Sequence, residues 1–127
     1  MPELTLQRIP FTIEADNQLR MLKARTGITP NILCRLGFCL SLEENTIPAT
    51  IKENTNWGRE INRYTLLGKY DKLFVSLLVT RLLQDNISRT EIDKMFLAHI
   101  NRGIKLLTAR IKNVADFSLL TNKENAN

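Results

Sequence analysis

One histidine and two cysteines in 127 residues leave few ways to assemble a catalytic or metal-binding centre. Any Ser-His-Asp or Cys-His arrangement would have to use His99. That residue sits beside Phe96 and Ile100 at helical spacing, which reads as a partly buried structural histidine. There is no HxxxH, CxxC or DxD spacing for a metal, so ligation would need Glu60, Asp71 and Asp116 to meet in space. GxxxxGK[ST] and GxGxxG, the loops that cradle nucleotide phosphates, are missing as well. No enzyme activity, cofactor or metal is expected. Cys34 and Cys39 would point about 140° apart on a helix, so they share neither a metal nor a disulfide, and reduced, buried thiols suit a cytoplasmic protein. No apolar run approaches the ~20 residues of a membrane span, and the start does not resemble a signal peptide.

What the chain does have is an ordinary globular composition, 43% hydrophobic and 24% charged, with enough length to bury a core without staples. The reading is one domain over residues 1–120 and a disordered Asn-rich tail over 121–127. Eighteen basic residues against thirteen acidic give a net charge of +5, which suits a polyanionic partner without requiring one. Between Met95 and Asn113 lie Arg102, Lys105, Arg110 and Lys112 with no carboxylate, so the last helix is expected to carry a basic face.

The sharpest local signal is Thr26-Gly27-Ile28-Thr29-Pro30-Asn31. Gly27 can take the positive φ that closes a helix, and Thr29-Pro30 supplies an N-cap and a first helical position. Ala15, Leu19, Leu22 and Thr26 would line the incoming helix, and Ile32, Leu33, Leu36 and Leu40 the outgoing one. The tight corner brings unpaired helix amides together with Thr29, Asn31, Lys23, Arg25 and Arg35, groups suited to phosphate oxygens.

Before this corner, Leu4 to Phe11 reads as an extended segment, with Thr12 capping the helix that follows. Strand, helix, tight turn, helix is the order of ribbon-helix-helix repressors, yet neither face of the segment offers the polar row that base reading needs. Ser41 to Trp57 reads as a long acidic connection. Gly58 to Asp71 is a basic and aromatic run bracketed by glycines, with Arg59, Arg63 and Lys69 as further phosphate candidates. Asp71 is placed as the cap of a core helix with stripe Leu73, Phe74, Leu77, Leu78 and Leu82. Ser88-Arg89-Thr90-Glu91 has the form of a capping box for the last helix, in which Gly103 is a weak point. The expected fold is mainly α, with about four helices around a ribbon-helix-helix-like core.

The block Leu19 to Arg35, then Leu40 to Glu44, Glu60 to Asp71 and His99 to Gly103, resembles the DndE family of the bacterial DNA phosphorothioation system. The resemblance implies a small accessory protein of the machinery that replaces a non-bridging phosphate oxygen by sulfur, working beside a cysteine desulfurase and an ATP-using sulfurtransferase. It further implies a homotetramer that binds nicked double-stranded DNA. Recognition of a backbone break needs phosphate contacts and shape, and no base-reading strand. Lys23, Arg25, Thr29, Asn31 and Arg35 are the first candidates for DNA contact; Arg59, Arg63 and Lys69 are the second. For Asn62, Arg63 and Tyr64 an inter-subunit hydrogen-bond cluster is the competing role. The alternative for the whole protein is a non-catalytic scaffold joining the sulfurtransferase complex, its positive charge incidental.

Overall fold

The computed structural model describes residues 3–52 and 55–111. Strand β1 (Arg8–Thr12) leads into helix α1 (Ile13–Thr26), and the corner leads into α2 (Pro30–Glu43). The connection to residue 57 ends in a second strand, β2 (Trp57–Asn62), then a short helix α3 (Arg63–Leu67), a 3₁₀ turn at Gly68–Tyr70, α4 (Asp71–Gln84), another 3₁₀ turn at Arg89–Glu91, and α5 (Ile92–Arg110). The mainly α architecture follows the sequence reading, while β2 is an element that reading assigned to no strand.

β1 and β2 pair antiparallel, with Ile9 opposite Ile61 and Thr12 opposite Trp57, and the register is irregular between Pro10 and Thr12. With two strands, both are edges, so Pro10 and its missing N–H are tolerated. Ile9 and Phe11 are fully buried beneath the helices while Arg8 faces out. The ribbon is thus completed within one chain: β1 pairs with β2, and the Asn101 side chain of α5 accepts from the Thr12 amide and donates to the Pro10 carbonyl.

Local chemistry sets the helix ends. The Thr12 hydroxyl accepts from the Ala15 amide at 3.1 Å, with Glu14 and Asp16 in the positively polarised first turn and Lys23 and Arg25 in the last. Gly27 closes α1 at φ 72°, its N–H bonded to the Lys23 carbonyl. Ala15, Leu19, Leu22 and Thr26 are buried as the periodicity predicts. On α2, Leu33 and Leu40 are buried, but Ile32 remains 43% exposed; the buried stripe instead runs through Cys34, Gly37, Phe38 and Ser41.

The centre of the fold is the crossing of α2 over α5. A Cβ placed on Gly37 would lie 2.7 Å from the Gly103 carbonyl carbon, so the two backbones touch. Gly103 is therefore the contact point of the crossing, which corrects its reading as a weak point: a helix pays for glycine locally but gains an approach that no side chain would allow. Phe38, beside this contact, packs against Phe74 and Phe96 with ring centroids 5.7 and 5.4 Å away.

Three further expectations are revised. Asp71 is the first residue of α4 and makes no capping bond; Arg63 holds its carboxylate. On α4, Phe74, Leu78 and Leu82 are buried but Leu73 and Leu77 are 54% and 39% exposed, because the apolar stripe is wider than the one side that the core covers. Ser88 does accept from the Thr90 amide, yet it starts the 3₁₀ turn, α5 follows at Ile92, and Glu91 faces Lys94 at 3.6 Å. No helix among the described residues is long and apolar enough to cross a membrane. The 121–127 tail, Lys112 and Asp116 lie outside the described residues.

Candidate nucleic-acid interface

At the corner, Lys23, Arg25 and Thr29 are exposed and Asn31 and Arg35 half-buried. Thr29 adopts the extended conformation of an N-cap, φ −66° and ψ 149°, and Pro30 occupies the start of α2, but the Thr29 hydroxyl makes no capping bond. The first turn of α2 therefore keeps donors that its own cap residue leaves available. Asn31 and Arg35 are one helical turn apart and so share a face of α2.

Arg35 joins this corner to the second basic segment. Its Nε donates to the Leu66 carbonyl at 2.7 Å, and its guanidinium carbon stands 5.8 Å from the centre of the Tyr70 ring, with the Lys69 ammonium 5.3 Å from the same centre. Gly68 makes the approach possible: it has φ 57°, and a Cβ there would meet an Arg35 Nη at 2.9 Å. Among the described residues no carboxylate forms an ion pair with Lys23, Arg25, Arg35 or Lys69. Tyr70 was not singled out from the sequence; its position next to Lys69, in a turn closed by Gly68, was the available signal.

Arg59 and Arg63 sit differently. Asp16, with a side chain only 9% exposed, accepts from the Arg59 Nε at 2.7 Å and backbone N–H at 3.1 Å, and from Arg20 at 3.3 Å. Burial alone would raise the Asp16 pKa, but the bonds from Arg59 and Arg20 prevail and hold it below the usual carboxylate value. Arg63 forms a two-pronged pair with Asp71, both contacts 2.8 Å, and donates a third bond to the Leu4 carbonyl. That pairing raises the Arg63 pKa further. The adjacent cleft of 560 Å³ mixes charges, with Glu3 and Asp71 beside Arg63, Lys72 and Arg89. Asn62 caps α3, accepting from the Tyr64 and Thr65 amides, so Asn62 and Arg63 already have partners within the chain.

The basic face read on the last helix is smaller than its sequence implies. Arg102 is turned inward onto the C-terminal end of α2, donating to the Ser41 carbonyl and hydroxyl and to both oxygens of Thr46. Arg81, 5% exposed, donates to the Leu42 and Thr46 carbonyls and pairs with Asp85. Two guanidinium groups thus bind the Ser41 and Leu42 carbonyls in the last turn of α2 and the Thr46 carbonyl just beyond it. Lys105 and Arg110 remain exposed.

His99 belongs to the same network and is fully buried, more than the sequence suggested. The Ser41 hydroxyl accepts from Arg102 Nε and shares a second hydrogen bond with His99 Nδ1, 2.8 Å away. Burial, then the nearby charges of Arg102 and Arg81, lowers the His99 pKa to about 4, leaving a neutral ring at pH 7. Ser41 and His99 are both 0% exposed, so this serine–histidine pair is closed to substrate. Burial pushes the Cys34 thiol up to about 12, far from a reactive thiolate. Among the described residues no three His, Cys, Asp or Glu side chains gather as a metal site.

Comparison with known proteins adds an independent line. The sequence profile of the family described as DndE, DNA sulphur modification protein, matches residues 8–115. The structure is similar to the crystal structure of DndE from Escherichia coli B7A, involved in DNA phosphorothioation modification, at 27% identity and TM-score 0.64, covering 84% of this chain and 97% of that one. It is also similar to the crystal structure of a DndE mutant involved in DNA phosphorothioation, at 26% identity and TM-score 0.58, covering 86% of this chain and 99% of that one. No curated protein sequence matches significantly.

Proposed function

Because the chain belongs to the DndE family of DNA sulphur modification proteins, we propose that it is a non-catalytic DNA-binding subunit of phosphorothioation, one that holds nicked duplex DNA through its backbone phosphates without reading sequence. The observation that carries this reading is the junction at Arg35, which joins the Thr29–Asn31 helix start to the Lys69–Tyr70 turn, where no carboxylate among the described residues forms an ion pair with Lys23, Arg25, Arg35 or Lys69. Phosphate oxygens are met there by cations and helix-end donors, groups that fix position along the duplex and carry no base information. Lys23, Arg25, Thr29, Asn31, Arg35 and Lys69 form the proposed contact set. Arg59 and Arg63 have a supporting role in it, tying β2 to α1 through Asp16 and α3 to α4 through Asp71.

The partners proposed are nicked double-stranded DNA, the sulfurtransferase and ATPase-like subunits of the same machinery, and further copies of this chain in a homotetramer. The exposed Leu73 and Leu77 on α4, with Tyr70 42% exposed one turn earlier, favour self-association, since apolar side chains in a row on one helix face lose water contact when paired. A scaffold role without DNA contact is the competing reading. Charge reversal at Lys23 and Arg25 decides between them: loss of both duplex binding and modification supports DNA holding, whereas loss of modification with duplex binding unchanged supports the scaffold.

A further inference from the structure

The chain has one tryptophan, and it stands at the opposite end of α1 from the corner. Pairing of Thr12 with Trp57 puts the indole at the end of the ribbon, beside the α1 N-cap. There it lines a cleft of 370 Å³ together with Thr50, Ile51, Lys52, Lys94 and Leu97. Trp57 is half-buried and both lysines are exposed. Lys94 has a loose contact with Glu91 at 3.6 Å, on side chains 65% and 44% exposed, an arrangement that solvent screens to little net attraction. Among the described residues Lys52 has no ion-pair partner, and none of the described lining side chains is a carboxylate.

An aromatic plane with aliphatic walls and two ammonium groups has the chemistry of a single-strand platform: the ring stacks on a base of any identity and the cations take the flanking phosphate. The cleft is near the lower end of small-ligand pockets, which run from about 300 to 1,000 Å³; that suits one nucleotide and excludes a paired duplex. The geometry points to Trp57, Lys52 and Lys94 as a site for one unpaired nucleotide at a DNA strand break. This rests on the DNA-holding function proposed above and names the part of the broken strand that this second surface takes. The 14 residues of α1, about 21 Å long, separate it from the corner, so either surface can be altered without touching the other.

Tryptophan emission tests the assignment in the full-length chain, because every photon from an indole comes from residue 57. The protein is titrated with a nicked duplex bearing one unpaired 5′ nucleotide and with an intact duplex of the same sequence, while anisotropy of a label on the DNA reports binding independently. The flapped duplex should quench the emission saturably and the intact duplex should not. Trp57→Ala should weaken flapped-duplex binding about tenfold with intact-duplex affinity unchanged, and Trp57→Phe should recover most of the loss. The double variant Lys52→Glu, Lys94→Glu, with the core untouched, should abolish the quench. If DNA binds by anisotropy while Trp57 emission stays constant, the cleft assignment is wrong and the corner reading stands. If neither DNA binds, both readings fall.

Discussion

Gly37 on α2 and Gly103 on α5 meet backbone to backbone, close enough that a methyl group on Gly37 would sit 2.7 Å from the carbonyl carbon of Gly103. Helices that approach at glycine cannot be reopened by a small side chain without moving a whole element. Alanine at either position should therefore destabilise the protein by about 2–3 kcal/mol through overpacking, measured as a shift of the urea midpoint with the slope unchanged. Alanine tolerated at both positions would mean that the crossing is looser than described.

The buried His99 makes a prediction about pH. Its folded pKa is lowered from the usual 6.5 to about 4, so between these values the unfolded chain takes up a proton that the folded chain refuses. Stability unaffected above pH 6.5 should decline as pH falls towards 4, by up to about 3 kcal/mol from this residue. Thermal melts between pH 7.5 and 4.5 should show the decline in the wild-type protein, and His99→Gln should flatten it in that window.

Arg59 and Arg63, read from the sequence as phosphate ligands, should behave as structural residues, held by Asp16 and Asp71. Arg63→Ala removes a two-pronged pair with Asp71 and a bond to the Leu4 carbonyl, and should cost about 1.5–3 kcal/mol of stability. The double variant Lys23→Ala, Arg25→Ala touches only exposed side chains; it should melt like the wild type while losing DNA affinity, with the salt slope reduced by about two. The reverse pattern would put the DNA on the Arg63 side.

The outer face of α4 should be separable from its inner face. Leu73→Glu with Leu77→Glu changes exposed positions and should leave the fold intact while shifting the solution mass from oligomer to monomer. Leu78→Ala, at a fully buried position, should instead cost about 2–5 kcal/mol. An unchanged mass for the double glutamate variant would remove α4 from the assembly interface.

Features written in adjacent residues were readable in the sequence. Gly27, Thr29 and Pro30 name a helix stop and start through their own backbone preferences, and Thr12 through its hydroxyl, so the corner emerged without tertiary information. β2 did not, because Gly58, Arg59 and Glu60 break the apolar alternation and the strand exists through its pairing with β1. The misreading of Gly103 has the same origin, since its reason is Gly37 on another helix. Charges were the least readable: Arg59, Arg63 and Arg102 look like Lys23 and Arg25 in composition, and only the fold shows that Asp16, Asp71 and the end of α2 occupy them. The same contacts divide the candidate site into an open corner and a buttress.

The proposed meeting of cations at the Arg35 corner with a DNA backbone is reached directly by one titration: affinity for a nicked and an intact duplex of one sequence, measured by label anisotropy across a range of salt concentrations. If about four phosphates are neutralised, log K should fall with log salt at a slope of roughly −3 to −4, with the nicked duplex bound more tightly and the base sequence of little consequence. A slope near zero, or equal affinity for both duplexes at every salt concentration, would contradict the account.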